Sequence, residues 1–379
     1  MYALHQYLNT LRDSLGLTRT LGEITLCCDE EGRPRYSVGN SAAVFCIEHE
    51  GRKCALRCYL RGAKHLKAIY GEALLERELY LYDTPSSGRW VDVVLTEWVE
   101  GRSLDEVIAE ALGRGNSATL AKLAQAFDRL AGEMLSAPWA HGDLKPENII
   151  VTPSGEMRLI DWDAKFLPEF AGEQSPELGT AAFQHPTRTL EAFDAHLDDF
   201  PIALISTALH ALALEPSLAE RYTEEDGLLL SPRNIARQAS YQAVLRLFSE
   251  RGEALHYRIA HLLCSPTYRL FDLRRLFAYG AQTTPLAAPD QPLELFEEEG
   301  LWGYRTAERV VIPPLYDCGF EPSEGILTVQ VGSVWHYMDP SGRLLRSCPD
   351  CEAVKPVKAG YATLVRHGER EQIPLCAEM

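Results

Sequence analysis

Asp143, Asn148 and Asp161 fall within one short stretch, HGDLKPENIIVTPSGEMRLIDWD (residues 141–163), and each has a side-chain oxygen able to grip a metal or accept a proton. Asp143 and Asn148 are five residues apart on one predicted loop. TPSGE is a turn signal, and antiparallel pairing of NIIV with MRLI predicts that Asp161 returns beside Asn148. Three oxygen-bearing side chains then face one cavity. Magnesium takes oxygen ligands. Phosphoryl transfer asks a protein mainly for cations that neutralise phosphate oxygens and a carboxylate that places the acceptor hydroxyl. Taken singly the pieces are bland, since His-Gly-Asp is common in turns and Asp-Trp-Asp suits a solvated strand end; their joint spacing carries the reading.

The elements around this stretch change in texture along the chain. VFCIEHEGRKCALRCYL and ELYLYDTPSSGRWVDVVLTEWV each read as two strands around a turn, so at least two hairpins belong to one antiparallel sheet, with KHLKAIY a short helix between them. Beyond GRSLDE the pattern turns helical: Leu120, Leu123, Phe127, Leu130 and Met134 keep the three-and-four spacing of one apolar face. Helices resume after the quoted stretch and continue to about residue 280. AQTTPLAAPDQPLELF, rich in Pro and Ala, then marks a boundary, and strands follow. Among them LWGYRTAERVVIPPLYD resembles the later VWHYMDPSGRLLRS, and SEGILTVQV resembles KAGYATLVR in the same register, which reads as two copies of a short β-rich repeat.

The 379 residues are 46% hydrophobic and 24% charged, ordinary for a globular protein with a full core. A formal charge of −17 argues against a dedicated nucleic-acid or anionic-membrane binder. MYALHQYLNTLRDSLG lacks the pattern of a secretion signal, and the longest apolar run, FPIALISTALHALAL, is shorter than a bilayer span and contains Pro201, Ser206, Thr207 and His210, so a buried core helix is expected. The ten cysteines are read as reduced thiols, with Cys348 and Cys351 of SCPDC the one pair spaced for zinc and Cys318 and Cys376 as remote partners. Free thiols at a turn are the expected outcome. A cytoplasmic location follows from this reading.

The two loops of the 141–163 stretch resemble the catalytic and metal-binding loops of the eukaryotic-type protein kinases. His141, Asp143, Leu144 and Asn148 match H-x-D-L-x-x-x-N, and Asp161-Trp162-Asp163 stands in the place of D-F-G. The resemblance implies that Asp143 is the catalytic base, that Asn148 and Asp161 hold Mg2+, and that Lys145 contacts the transferred phosphate of ATP.

It extends over about residues 30 to 280. SVGNSAAVF is similar to the phosphate-covering Gly-rich loop, with Ser37, Gly39 and Ala42 at the glycine positions and Val44 following. Arg57 occupies the position of the strand lysine, keeping the charge on a larger fork. Glu76 and Glu78 sit in a run that reads as strand, which leaves Glu72 as the helix glutamate implied to pair with Arg57. VVLTEWVEG looks like the hinge, where backbone groups of Glu97 and Val99 would hold adenine and Thr96 would line the rear of the pocket. GTAAFQHP resembles the end of the activation segment, with Thr180 placed against Asp143 and His185-Pro186-Thr187 in the A-P-E position. Asp198 matches the buried aspartate that anchors the catalytic loop, a helix N-cap being its alternative. The arginine that usually precedes the catalytic aspartate is replaced by Gly142, so activity without loop phosphorylation is expected.

The C-terminal copies resemble the WG-repeat family of bacterial β-rich modules through Leu301-Trp302-Gly303-Tyr304, Val311-Ile312-Pro313-Pro314-Leu315-Tyr316 and Ser323-Glu324-Gly325, with His336 where the second copy's glycine belongs. The fold class implied is α+β: a bilobal protein-kinase-like domain over 1–285 (antiparallel β N-lobe about 1–97, mainly helical C-lobe about 98–285), a linker over 286–294 and a WG-repeat β domain over 295–379. The function implied is an ATP- and Mg2+-dependent serine/threonine protein kinase with a protein substrate and a protein partner for the repeats. Two alternatives stand beside it. One is a pseudokinase scaffold, motivated by Arg57 and the thin glycine loop; the other is a small-molecule phosphotransferase of the aminoglycoside or choline kinase type, against which Lys145 and GTAAFQHP speak.

Overall fold

The computed structural model describes residues 2–222, 228–282 and 291–375, and its architecture is mixed α+β, with a curled antiparallel sheet, a helical layer and several small sheets. The first part comprises α1 (Leu4–Arg12), β1 (Thr25–Leu26), β2 (Tyr36–Val38), β3 (Ala42–His49), β4 (Arg52–Tyr59), α2 (Leu66–Tyr70), β5 (Leu74–Thr84) and β6 (Ser87–Glu97). Glu50 and Gly51 both have positive φ, 49° and 72°, the geometry of a tight two-residue turn, and they fix the register of β3 on β4 from His49↔Arg52 to Ala42↔Tyr59. The sheet order is β1-β3-β4-β6-β5, with β2 paired to β3. Its apolar face, with Phe45, Ile47, Leu56, Leu79 and Val93, buries Tyr7 and Leu11 of α1. The Tyr7 hydroxyl donates to the Tyr59 carbonyl at 2.6 Å, which pins α1 to the end of β4. In β5, Glu78 is buried, and its carboxylate accepts the backbone N–H groups of Arg19, Thr20 and Leu21 at 2.8–3.0 Å.

Next come β7 (Arg102–Ser103), α3 (Leu104–Gly113), α4 (Ser117–Ser136), β8 (Ile149–Val151), β9 (Met157–Leu159), α5 (Asp199–Leu214), α6 (Leu218–Arg221), α7 (Ala239–Arg251), α8 (Ala254–Leu262) and α9 (Leu273–Gln282). The expected apolar face of α4 is buried at Leu120, Leu123, Phe127 and Met134 and half-buried at Leu130. The FPIALISTALHALAL run forms α5, buried nearly all round, as its lack of a polar face requires. No helix among the described residues is long and apolar enough to cross a membrane.

The last part is all strand: β10 (Glu294–Glu298), β11 (Leu301–Arg305), β12 (Val310–Tyr316), β13 (Cys318–Gly319), β14 (Leu327–Val331), β15 (Val334–Met338), β16 (Leu344–Cys348), β17 (Ala353–Lys358), β18 (Tyr361–Arg366) and β19 (Glu369–Pro374). Sequence similarity finds two repeat copies; the structure has three related hairpins, β10–β11, β14–β15 and β18–β19. The third has no aromatic residue in its second strand, EREQIP, so only its first strand, within KAGYATLVR, shows the kinship in the sequence. The units interlock by a repeated device. Tyr304 donates to the Phe320 carbonyl at 2.7 Å, and Tyr337 donates to the Lys355 carbonyl at 3.0 Å. Both rings are fully buried, so each hydroxyl needs such a partner.

Gly303 and His336 occupy equivalent positions in the two copies, and the register explains their difference. Between Trp302↔Tyr316 and Tyr304↔Ile312 the β12 strand bulges at its two prolines, and a Cβ on Gly303 would lie 2.5 Å from the Ile312 carbonyl oxygen. Trp335↔Cys348, His336↔Ser347 and Tyr337↔Arg346 pair without a shift, which leaves room for an imidazole.

The expected linker, 286–294, lies outside the described residues as far as 290, as do 283–285 of the preceding segment; β10 begins at Glu294. Apolar packing does not divide at the expected boundary. Tyr304, Ile312, Leu327, Val329 and Val331 share one core with Phe248 of α7 and Ile259 of α8. Ser249 donates to the Val331 carbonyl at 2.5 Å, and Arg258 pairs with Asp317 at 2.7 Å. All nine described cysteines are free, and Cys348 and Cys351 are buried; burial, then Cys351, pushes the Cys348 thiol up to about 12. Among the described residues no cysteine belongs to a group able to hold a metal, and Cys376 lies outside them.

Candidate active site

The expected hairpin forms. β8 pairs with β9 through Ile149↔Leu159, Ile150↔Arg158 and Val151↔Met157, and the Ile160 N–H donates to the Asn148 carbonyl at 3.0 Å, which sets Asp161 next to the Asn148 turn. Asp161 itself has φ 65° and ψ 68°, a left-handed backbone that a non-glycine residue adopts at some cost. Asn148 is buried and donates from Nδ2 to the Asp143 carbonyl at 2.9 Å, so its amide oxygen is turned away from that bond.

Two buried groups hold the start of the loop. The Asp198 carboxylate accepts the backbone N–H of His141 and, at 2.9 Å, that of Gly142. It makes no N-cap bond to α5, so of the two readings of this residue the anchoring one holds. Burial raises its pKa, and the charge of His141 and the two N–H bonds oppose the rise. The His141 ring donates from Nε2 to the Ile160 carbonyl at 2.8 Å and lies 5.0 Å from the Trp162 ring, tying the two loops together. Gly142 has φ 83°, and a Cβ there would sit 2.2 Å from the Ala164 carbonyl oxygen. No arginine could occupy this position without moving the second loop.

Asp143 faces Thr180 and Lys145. Its Oδ1 accepts the Thr180 N–H at 2.6 Å, and Lys145 Nζ stands 3.0 Å from the Thr180 hydroxyl and 3.5 Å from Asp143 Oδ2. Gly179 permits this approach: its φ is 72°, and a Cβ would fall 2.9 Å from Asp143 Oδ1. Arg188, which no sequence pattern singles out, lies buried beneath the loop and donates to the Gly142 carbonyl at 2.7 Å and to Gln184.

Arg57 is central to the arrangement. From β4 its Nη2 donates to Asp161 Oδ1 and to Asp163 Oδ2, the latter at 2.8 Å, with Nε also on Asp163 at 3.1 Å. Asp163 is further held by the hydroxyls of Tyr59 at 3.1 Å and Tyr70 at 2.8 Å. Burial works against the Arg57 charge, but Asp161 and Asp163 outweigh it and raise its pKa above the ordinary value. The expected pair with Glu72 does not form. Glu72 is exposed and lies 3.7 Å from Lys67, because α2 is only five residues long and ends before Glu72, turning that side chain to solvent. Asp163 takes the counter-ion role instead. Its carboxylate was legible within Asp-Trp-Asp, but its pairing with a residue 106 positions away was not.

The remaining candidates line one side of the sheet region. Ser37 pairs with Val44, Val44 with Arg57, and Arg57 with Val94, so the segment read as phosphate-covering lies across the strand that carries Arg57. Gly39 and Ala42 close its turn, the Gly39 N–H donating to the Ala42 carbonyl at 2.9 Å. Ser37 and Gly39 are exposed and Ala42 is buried. Thr96 and Glu97 are exposed at the end of β6, opposite Ala55 and Cys54, and Val99 is half-buried just beyond.

The carboxylates concentrate negative potential here. The carboxyl of Glu177 is raised first by burial and then by Asp143, Asp161 and Asp163. Asn148 and Asp161 offer oxygen donors of the kind Mg2+ takes, and the Asp161 carboxylate is partly open to solvent, its side chain 40% exposed. The donor set fits a hard divalent cation, provided that Arg57 gives up Asp161 Oδ1. No protein-family model matches the chain, and no curated protein matches it as a relative.

Proposed function

We propose that this chain is an ATP- and Mg2+-dependent serine/threonine protein kinase, built on a bilobal protein-kinase-like fold, whose C-terminal strands serve as a protein-interaction module. The observation that carries this reading is the meeting of Asp143, Lys145 and Thr180 beside a hairpin that returns Asp161 to Asn148. Asp143 would take the proton of an acceptor hydroxyl, oriented by its bond from Thr180. Lys145, held between Thr180 and Asp143, would offer its charge to the phosphate in transit. Asn148 and Asp161 would hold Mg2+, which supplies neutralisation of phosphate charge when bound. Ser37, Gly39, Ala42, Val44 and Arg57 would contact the phosphates, and Thr96, Glu97 and Val99 the adenine. Cytoplasmic residence belongs to the same proposal.

A second reading, a scaffold that binds nucleotide weakly or not at all, is favoured by one observation: Arg57 already satisfies Asp161 and Asp163. One assay separates the two. The full chain is incubated with labelled ATP, Mg2+ and a generic basic protein, alongside Asp143→Ala. The kinase reading expects label on serine or threonine of the chain or of the acceptor, lost in the variant. Equal background in both forms would favour the scaffold, and label only on added aminoglycoside or choline would favour a small-molecule enzyme.

A further inference from the structure

Away from the 141–163 loops, three helices bring together Asp128 of α4, His210 of α5 and His256 of α8, each half-buried, with one ligand-type atom from each within 4.8 Å of the others. We infer that this cluster is a zinc site in which Asp128 and the two imidazoles are the protein ligands and the fourth position faces a neighbouring cavity. The donor chemistry suits it: two imidazoles and one carboxylate, with an open position, is a set that Zn2+ takes in tetrahedral geometry.

The surrounding contacts orient the ligands. His210 Nε2 lies 2.7 Å from Asp128 Oδ2, and the Ser206 hydroxyl donates to Asp128 Oδ1 at 2.9 Å, fixing the carboxylate between two residues of α5. His256 Nδ1 lies 3.0 Å from Glu253 Oε2, the carboxylate-to-imidazole contact that sets a metal-binding histidine's tautomer and leaves Nε2 free to ligate. A cavity of about 140 Å³, lined by Ala121, Gln125, His210, Ala213, Leu214 and Glu253, adjoins the cluster and has room for a water ligand.

Charge balance supports a cation over a plain hydrogen-bond network. Asp128 and Glu253 bring two carboxylates, and protonating both rings would set two positive charges face to face, because the imidazoles stack with centroids 3.6 Å apart. A tetrahedral zinc with ligand bonds of about 2.0–2.1 Å sets its ligands roughly 3.3 Å apart. The Asp128–His210 contact must therefore open and the widest spacing must close, by side-chain rotation. A neutral His210 ring carries one proton, so Nε2 becomes a ligand as that proton passes to Nδ1, with no net loss from the ring.

The test uses the full chain, stripped with chelator and titrated with Co2+ and then Zn2+. The wild type is expected to take one equivalent, with visible d–d absorption, no near-ultraviolet thiolate charge-transfer band, and a higher unfolding midpoint with Zn2+ than with chelator. His256→Gln is expected to weaken binding at least tenfold, while Cys348→Ser with Cys351→Ser, and separately Asp161→Asn, bind as the wild type does. Retained binding in Asp161→Asn keeps this site's fate distinct from that of the phosphotransferase reading. No stoichiometric uptake by the wild type, a thiolate band, or undiminished binding in His256→Gln would overturn the assignment. Should that variant fail to fold, the wild-type cobalt spectrum and the midpoint shift decide alone.

Discussion

One nitrogen of Arg57, Nη2, donates to both Asp161 and Asp163, so the strand cation and the two carboxylates of the second loop form a single ionic unit. Asp163 is the buried partner, closed in by two tyrosine hydroxyls, and Asp161 is the open one. The arginine thus stands between a structural tie and the donor oxygen that a metal would need. Its charge is the same as a lysine's, but a guanidinium can hold two carboxylates at once where an ammonium is a single point.

Arg57→Lys should separate those two roles. Lysine keeps the charge near Asp163 and frees Asp161, so the account expects a gain in turnover. Losing part of a buried, charge-assisted network should cost about 1–3 kcal/mol of stability. Steady-state kinetics and chemical denaturation on the same preparation check both halves. A dead enzyme that is as stable as the wild type would mean that the fork has a geometry of its own.

Asp198→Asn should loosen the first loop. An amide has one acceptor oxygen, so it cannot take both the His141 and Gly142 N–H groups as the carboxylate does. The expected stability loss is about 1–3 kcal/mol, from a buried donor left unpaired, and kcat should fall roughly tenfold or more because Asp143 is misplaced. The KM for ATP should change little. Unaltered kcat at full folding would show that the anchor does not position Asp143.

Thr180→Val removes the hydroxyl that Lys145 meets at 3.0 Å but keeps the N–H that meets Asp143. Turnover is expected to drop by about ten- to a hundredfold with stability little changed, and Thr180→Ser should restore it. Equal loss in the serine variant would point to packing of the methyl group instead.

His336 gives a pH dependence. It is buried, and burial lowers its pKa from the usual 6.5 to about 4. Between those values the unfolded chain binds a proton that the folded one refuses. This stability is fully present above about pH 6.5 and is lost as pH falls toward 4, by a few kcal/mol at most. Denaturation midpoints across that window should decline in the wild type and decline less in His336→Phe. Parallel curves would show that other groups govern the acid limb.

Much of this was legible in the chain. Periodicity located α4, α5 and the strand pairs, because a single buried face or a wholly buried helix writes its pattern locally. The turn TPSGE between two short apolar runs was enough to return Asp161 to Asn148. What the sequence hid was long-range. The Arg57–Asp163 pair, Arg188 beneath Gly142, and the Asp128–His210–His256 cluster depend on how separate elements dock, and no local spacing encodes that. The pairing expected of Glu72 fails for a related reason, since it requires a helix longer than the five residues of α2. The third C-terminal hairpin keeps the turn geometry, His367 and Gly368 at φ 49° and 77°, but its second strand lacks the aromatic signature, so only its first strand shows the kinship in the sequence.

The most direct measurement is a crystal structure with Mg2+ and a non-hydrolysable ATP analogue. The account predicts a cation bound between Asn148 and Asp161, with Arg57 withdrawn from Asp161 onto phosphate oxygens while it keeps Asp163. An Arg57 fork still closed on Asp161, with no nucleotide or metal in the cleft at saturating concentrations, would contradict it.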